Sequence, residues 1–535
     1  MRNCLRWFNF LWTIYILILS YSLVILFHAQ MDMSHVFWFF PTLSITWHFV
    51  IAAMVALFIA WQQVIYLKKK SSIPGPSLVI PFLGGAIEMV ANPTKFWDDQ
   101  SKAARNFGLA GNFLLGNFIV FIRDSELCHK IFANVKPDVF HLIGHPFGKK
   151  LFGEHNLIYM FGEEHRQLRR RFAPNFTLKA LGVYVAIQEN DIRKHISKWI
   201  EICSSNNNKP IALRTLCRDM NLETSQNVFV GPYLSEEARE QFNRDYTLFN
   251  TGLMALPIDL PGFAFYKARH AVSRLARTLA ECARQSKKTM ESGKEASCLV
   301  DFFMVDTLRE IREANERGAP MPAHTDEIEM GGYIFDFLFA AQDASTSSLV
   351  WAITLLESHP KILEKVREEQ IRIRPDLDAP IFAEQLREMK YTEMVVKEVI
   401  RFRPPATMVP HIAAVDFPIT ENYIIPKGTI VFPSLFESSF QGFTDPHKFD
   451  PERFSPCRQE DQVYKRNWLP FGAGPHQCVG QRYAVNHLML FVALFSTSVD
   501  CTRCRTPDCD EIAYMPTIVP KDEFLVYLSR RTKTA

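Results

Sequence analysis

The chain is 535 residues long and carries 60 Lys and Arg against 57 Asp and Glu, a formal net charge of +3. A balance so close to neutral gives no electrostatic reason to invoke a nucleic-acid partner. Eleven cysteines follow no regular spacing; they offer no disulfide framework, and Cys501, Cys504 and Cys509 lack a fourth ligand for zinc.

The N-terminal segment reads as membrane-embedded. Residues 8–27 are almost unbroken apolar sequence, and residues 43–66 form a second stretch through Val50, Ile51, Met54, Leu57, Phe58 and Ile59. Each is long enough to cross the bilayer core. Arg2 and Arg6 precede the first stretch and Lys68, Lys69 and Lys70 follow the second, so a hairpin would keep both ends cytosolic. Pro41, Trp47 and His48 weaken the second stretch, which leaves one span or two. Residues 1–66 are therefore expected to be a membrane anchor with one or two transmembrane helices. Residues 67–76 (LKKKSSIPGP) form a basic, proline-rich hinge, because prolines block helix continuation. Residues 77–535 show no internal repeat or low-complexity linker and read as one large domain.

Within that domain residues 331–358 read as one long helix. Tyr333, Phe335, Phe337, Leu338 and Phe339 lead into Ala340, Ala341, Gln342, Asp343, Ala344, Ser345 and Thr346. Small residues in mid-helix pack poorly but let a ligand approach the backbone. Further on, Glu398 and Arg401 stand one helical turn apart and face the same way, and Pro451-Glu452-Arg453-Phe454 follows. Residues 471–480 (FGAGPHQCVG) then set Cys478 among glycines, ahead of a helix expected over residues 481–495. A thiolate at this place suits ligation of haem iron. Phe471, Gly472, Gly474 and Gly480 let the backbone lie close to a flat macrocycle, and the helix N-terminus favours the thiolate by lowering its pKa.

In their order and spacing these motifs resemble the cytochrome P-450 haem-thiolate monooxygenases, over about residues 71–529. The resemblance implies a mainly α (α+β) fold, with a large helical region and a smaller β-rich region. It implies haem b with Cys478 as axial ligand, O2 as co-substrate, and electrons from NADPH through a flavoprotein reductase, since this chain has no nucleotide-binding GxGxxG of its own. It also implies that Glu398, Arg401 and Arg453 form a buried knot behind the haem. His165, Arg169, His411 and His476 occupy places from which the family reaches the haem propionates; His476, standing where Arg is usual, would be a weaker and pH-dependent cation. The run Arg169, Arg170 and Arg171 would add to a basic face for the electron donor.

On the long helix the family's distal pattern places Thr at position 344, and here it is Ala344. Reduction of dioxygen needs protons at the distal oxygen. Asp343 is expected to connect solvent to the site, with Ser345 or Thr346 after a local helix distortion, or else water or a substrate hydroxyl, taking the place of the missing alcohol. Ala344 and His476 together resemble the sterol C-22 desaturases. That resemblance implies a sterol substrate dissolved in the bilayer, a C-22 double bond as product, and an endoplasmic reticulum membrane location with the catalytic domain facing the cytosol. Candidate pocket walls are Phe335, Phe339 and Ala340, then Pro405, Ala406, Thr407 and Met408, then Thr517 and Ile518. Alternatives that stay open are another sterol hydroxylase or 14α-demethylase, a reductase-independent haem-thiolate dehydrase or isomerase, and a non-catalytic sterol-binding protein.

Overall fold

The computed structural model describes residues 36–143, 148–152, 156–206, 209–253, 255–509, 511–514 and 517–531, with side chains from residue 49 onward. The first expected span, 8–27, lies outside the described residues. The chain divides into two compact units, Met1–Ile65 and Tyr66–Ala535.

The described part of the first unit is helical from Val36, the start of α1 (Val36–Lys70). This helix begins before the expected residue 43 and takes in Pro41, which apolar spanning helices tolerate better than soluble ones do. Within it Phe49–Lys70, 22 residues, is long and apolar enough to cross a membrane, and Leu57, Phe58, Ile59 and Trp61 expose their side chains.

The second unit opens with the segment expected to be a hinge, and there it is fastened down. Tyr66 donates its hydroxyl hydrogen to the Pro76 carbonyl at 2.7 Å. The Gly111 N–H donates to the Pro74 carbonyl at 2.8 Å, and Ile73 is buried in an apolar cluster with Phe113 and Phe118. The adjacent five-stranded sheet runs in the order β1 (Leu109–Leu114), β2 (Asn117–Ile122), β5 (Ile430–Pro433), β4 (His411–Ala413), β3 (Phe140–Leu142). Only the β2–β5 pair is parallel. Through β4 the sheet brings His411 to the edge of the candidate site.

Most of the remainder is helical: α2 (Gly162–Phe172), α3 (Leu178–Ser205), α4 (Leu213–Phe229), α5 (Glu236–Leu253), α6 (Ala264–Glu291), α7 (Glu327–Ser358), α8 (Lys390–Phe402) and α9 (Gln481–Ser498). Asp326 caps α7 by accepting from the Ile328 and Glu329 N–H groups, satisfying donors that helix geometry leaves free. Gly331 lets α7 press on α6, since a Cβ there would stand 2.3 Å from the Ala276 carbonyl oxygen.

The helix after the cysteine motif runs to Ser498 rather than residue 495. Its apolar residues Leu488 to Phe495 are buried against Leu349, Val350 and Ile353 of α7 and Val395, Val396 and Val399 of α8. Each such side chain contributes about 1.5–3 kcal/mol by leaving water. This packing holds α7 and α9 rigidly on opposite sides of the cavity described next.

Candidate active site

The loop before α9 owes its shape to glycine. Gly472 and Gly474 adopt φ of +68° and +73°, in the left-handed region that L side chains avoid. A Cβ on Gly474 would also stand 2.4 Å from the Phe132 carbonyl oxygen. The Cys478 N–H donates to the Phe471 carbonyl at 3.0 Å, closing the loop, and the Gly480 N–H points at the sulfur. Cys478 exposes its surface to a cavity, yet protein crowds the thiol closely. The expected lowering by the helix N-terminus is not what prevails: burial pushes the Cys478 thiol up, and the Gly480 N–H and Arg169 only partly oppose it. A metal ion, as the larger local charge, would reverse that balance.

The cavity has a volume of about 390 Å³ and reaches from Cys478 to Ala340, Ala341, Ala344 and Ser345 of α7. Arg169, His165, His411 and His476 also line it, as do Phe471, Gly472 and Gly480. These residues fit a haem: an inward-facing sulfur, a glycine loop with no side chains in the way, small residues opposite, and nitrogen donors at the wall. Burial disfavours the charged form of these imidazoles, and the N–H groups of His411 and His476 are given to backbone carbonyls. His165 and His476 stack, His476 Nε2 meets the Met160 carbonyl at 3.1 Å, and its Nδ1 has no partner among the described residues. Burial pushes His165 down to about 3 and His411 to about 4, and lowers His476 as well. His411 Nδ1 meets the Val409 carbonyl at 2.7 Å. The permanent charge is Arg169, which donates to the Gln477 carbonyl at 2.8 Å.

The basic run around Arg169 does not form one face. Arg171 is buried, pairing with Glu310 at 2.6 Å and donating to the Ala323 and His324 carbonyls. Only Arg170 of the three is exposed.

On α7 the three expected relay groups separate. Ser345 lines the cavity, and its hydroxyl has no hydrogen-bond partner among the described residues. The Thr346 hydroxyl donates to the Gln342 carbonyl at 2.8 Å, one turn back on its own helix, and is buried away from the cavity wall in this structure. Asp343 is not part of the cavity wall. It faces Arg218 and Arg214 of α4, whose charges oppose the upward push that burial gives its carboxyl. Beside it, Asn221 donates to the Gln342 and Ala341 carbonyls at 2.7 and 3.2 Å, and Gln342 donates to the Arg218 carbonyl at 2.8 Å.

The knot residues meet behind the cavity. Arg401 holds both Glu398 carboxylate oxygens, at 2.7 and 2.8 Å, and Arg453 donates to the same carboxylate at 3.0 Å. All three side chains are 0% exposed. A fourth member, Glu460, accepts from Arg453 at 3.0 Å; no spacing rule pointed to it, because it enters from a separate short helix. The remaining guanidinium hydrogens reach the Ser439, Thr444 and Lys448 carbonyls. Complete pairing of this kind is what makes buried charge tolerable.

Of the candidate pocket walls, Ala340, Pro405 and Ala406 line the cavity. Phe335 is a core residue, buried among Phe152, Tyr246 and Phe249, and Phe339 packs on Phe152 and Phe249. Met408 forms a β-bridge with Ser434, which turns its side chain onto Ala110 and Phe121, and the Thr407 carbonyl caps the Leu435 and Phe436 N–H groups. Ile518 is buried, its carbonyl accepting from Ser347 and Trp351, while Thr517 donates to the Asp343 carbonyl at 3.2 Å. Sequence reasoning missed Asp336, Phe337, Tyr483 and His487, all of which line the cavity. The signal for Asp336 was an acid one apolar turn ahead of Ala340. Its carboxyl accepts from the Leu157 N–H at 2.9 Å and from Asn156, and burial raises it well above the usual range.

A family model described as Cytochrome P450 matches residues 74–497. Cytochrome P450 710A2 of Arabidopsis thaliana is 57% identical over 488 residues, covering 91% of this chain and 97% of that protein. Probable cytochrome P450 524A1 of Dictyostelium discoideum is 38% identical, covering 88% and 85%. The C-22 sterol desaturase ERG5A of Gibberella zeae is 32% identical, covering 89% and 90%. Among solved structures, retinoic acid bound cyanobacterial CYP120A1 matches with a TM-score of 0.71 at 23% identity, covering 86% of this chain and 99% of that one; this is a likeness of fold. The chain belongs to the cytochrome P450 family, whose members are haem-thiolate monooxygenases.

Proposed function

We propose that the protein is a membrane-bound sterol C-22 desaturase. Its overall reaction removes one hydrogen from each of two neighbouring side-chain carbons and leaves a double bond: sterol, O2, NADPH and a proton give the olefin, two waters and NADP+. The observation that carries the oxidase reading is Cys478 facing the small residues Ala340, Ala341 and Ala344 across an apolar cavity. The sterol reading is supported by the relatives named C-22 sterol desaturases, and by a wall rich in Phe, Leu, Val and Ala that suits a flat apolar ligand.

In this reading Cys478 holds a haem, which when bound supplies dioxygen activation and hydrogen abstraction. The knot of Glu398, Arg401 and Arg453 keeps α8 fixed behind the site. Arg169 would hold the propionates by charge, with His165, His411 and His476 lining the wall beside them. Ala340 and Ala344 would leave room for dioxygen and substrate across the cavity from Cys478, and Pro405 and Ala406 would bound the substrate. Ser345 would supply a hydroxyl to the oxygen side of the cavity, with water beside it. Loss of the second hydrogen in place of hydroxylation depends on sub-ångström placement of the side chain.

Residues 1–66 anchor the enzyme where such a substrate is dissolved, with the endoplasmic reticulum as the membrane and the catalytic domain on the cytosolic side. An NADPH-dependent flavoprotein reductase docks near the thiolate loop, where Lys136, Arg170 and Arg482 are exposed. The test is incubation of the membrane protein with reductase, NADPH and a panel of C-24-alkyl sterols, followed by mass spectrometry. A new side-chain olefin is expected. Hydroxylated products alone would refute the desaturase reading and leave the oxidase standing.

A further inference from the structure

One side wall of the cavity hangs from a carboxyl on α7. Asp336 stands one turn ahead of Ala340, about 6 Å along the helix axis, and is the one acid among the described residues that line the cavity. It is only 5% exposed. One carboxyl oxygen accepts from the Leu157 N–H at 2.9 Å and the other from Asn156 Nδ2. Asn156 is buried too, and its amide oxygen accepts from the Ile158 N–H at 3.0 Å. Leu157 and Ile158 both line the cavity. The single helical turn Leu157–Tyr159 is thus suspended from α7 by a closed bracket of hydrogen bonds.

The far end of the same segment is tied to the cysteine loop. The Met160 carbonyl accepts from His476 Nε2 at 3.1 Å, and the Phe161 ring lies 5.8 Å from the His476 ring. Residues 156–160 therefore run from α7 to the loop that carries Cys478, fastened at both ends. A turn this short has too few bonds of its own to keep its shape, so these attachments set its place. The fold accepts a buried carboxyl to make them. Directional bonds that are fully matched fix a geometry which apolar packing alone leaves adjustable.

We infer that Asp336 is a positioning residue which, through Asn156 and the Leu157 N–H, sets the Leu157 and Ile158 wall and so decides the bulk and orientation of a molecule admitted between that wall and Ala340. In this role the carboxyl acts through its neighbours and not on the reacting atoms. A shift of the wall by about 1 Å is enough to change which part of a bound molecule stands nearest the iron. The inference rests on a haem held at Cys478 and not on the identity of the sterol.

The test compares two iron ligands in haem-loaded protein by spectral titration of the ferric state: imidazole, which fills only the space at the iron, and 4-phenylimidazole, whose second ring reaches outward to the walls. Asp336→Asn keeps an acceptor for the Leu157 N–H but sets an amide NH2 against that of Asn156, so one leg of the bracket breaks. The ratio of the two dissociation constants should then shift roughly tenfold, the equivalent of one buried hydrogen bond, with an unchanged carbon monoxide spectrum. Adding Asn156→Asp exchanges donor and acceptor, restores every bond of the bracket, and should return the ratio to the wild-type value. A merely structural role would lower the denaturation midpoint and leave the ratio alone. An unchanged ratio in Asp336→Asn, or a shift that the double exchange does not correct, would overturn the inference. Should Asp336→Asn fail to load haem, Asn156→Ala, which removes the same leg from the other side, decides by the same ratio. Neither probe is a sterol, so failure of the sterol reading leaves this result intact.

Discussion

The imidazole rings of His165 and His476 lie face to face, with centroids 4.0 Å apart and planes inclined by only 15°. Burial, with Arg169 nearby, lowers both rings, so the fixed charge on this wall of the cavity is Arg169, and His476 presents its unpartnered Nδ1. His165→Phe preserves the stacked face, worth about 0.5–1.5 kcal/mol, and should retain haem. His476→Leu removes both the stack and the free Nδ1, and haem retention should fall. Haem content after gel filtration compares the two; equal retention would remove His476 from the haem contacts.

Cys478→Ala should abolish the thiolate-type carbon monoxide spectrum and all turnover. Retained activity in that variant would falsify the ligand assignment.

Glu398 neutralises two arginines in a site with no exposure. Glu398→Ala therefore leaves buried cations uncompensated and should cost about 3–5 kcal/mol, read as a lower denaturation midpoint. Glu460→Gln should cost less, because Arg453 keeps its bond to Glu398 and Arg458, which pairs with Glu460 at 2.5 Å and is part exposed, can turn to solvent. An equal loss in both would show that the four side chains act as one unit.

Ser345→Ala should raise uncoupled peroxide release with little change in stability, since its hydroxyl touches only the cavity. Thr346→Val should leave coupling unaltered and cost about 1 kcal/mol of stability for the lost helix bond. The opposite pattern would mean that the Thr346 hydroxyl turns inward during turnover.

Asp336 carries a carboxyl whose folded pKa lies well above its unfolded value, through burial. The folded state therefore binds the proton more tightly, and the stability this lends is fully present below the unfolded pKa and lost as pH rises through the folded one. The stability of wild type relative to Asp336→Asn should fall as pH rises above the ordinary carboxylate range. Urea denaturation at several pH values checks this; a constant difference would mean that the carboxyl is ionised at neutral pH.

The parts legible in the sequence are those set by local stereochemistry and chain order. The Gly-rich cysteine loop depends on left-handed backbone angles at Gly472 and Gly474. The Glu398/Arg401 pair follows from helical period, α7 and α9 follow from continuous apolar pattern between caps, and the succession of motifs was enough to indicate the family. Tertiary packing decided which way side chains on those elements point. Thr346 and Ser345 are neighbours of similar chemistry, yet a turn of about 100° per residue sends one hydroxyl into its own helix and the other into the cavity. Phe335 was drawn into an aromatic core and Met408 was turned away by a β-bridge. Asp336, Tyr483, His487 and Glu460 gained their importance only from burial, which depends on partners distant in the chain and which no local spacing encodes.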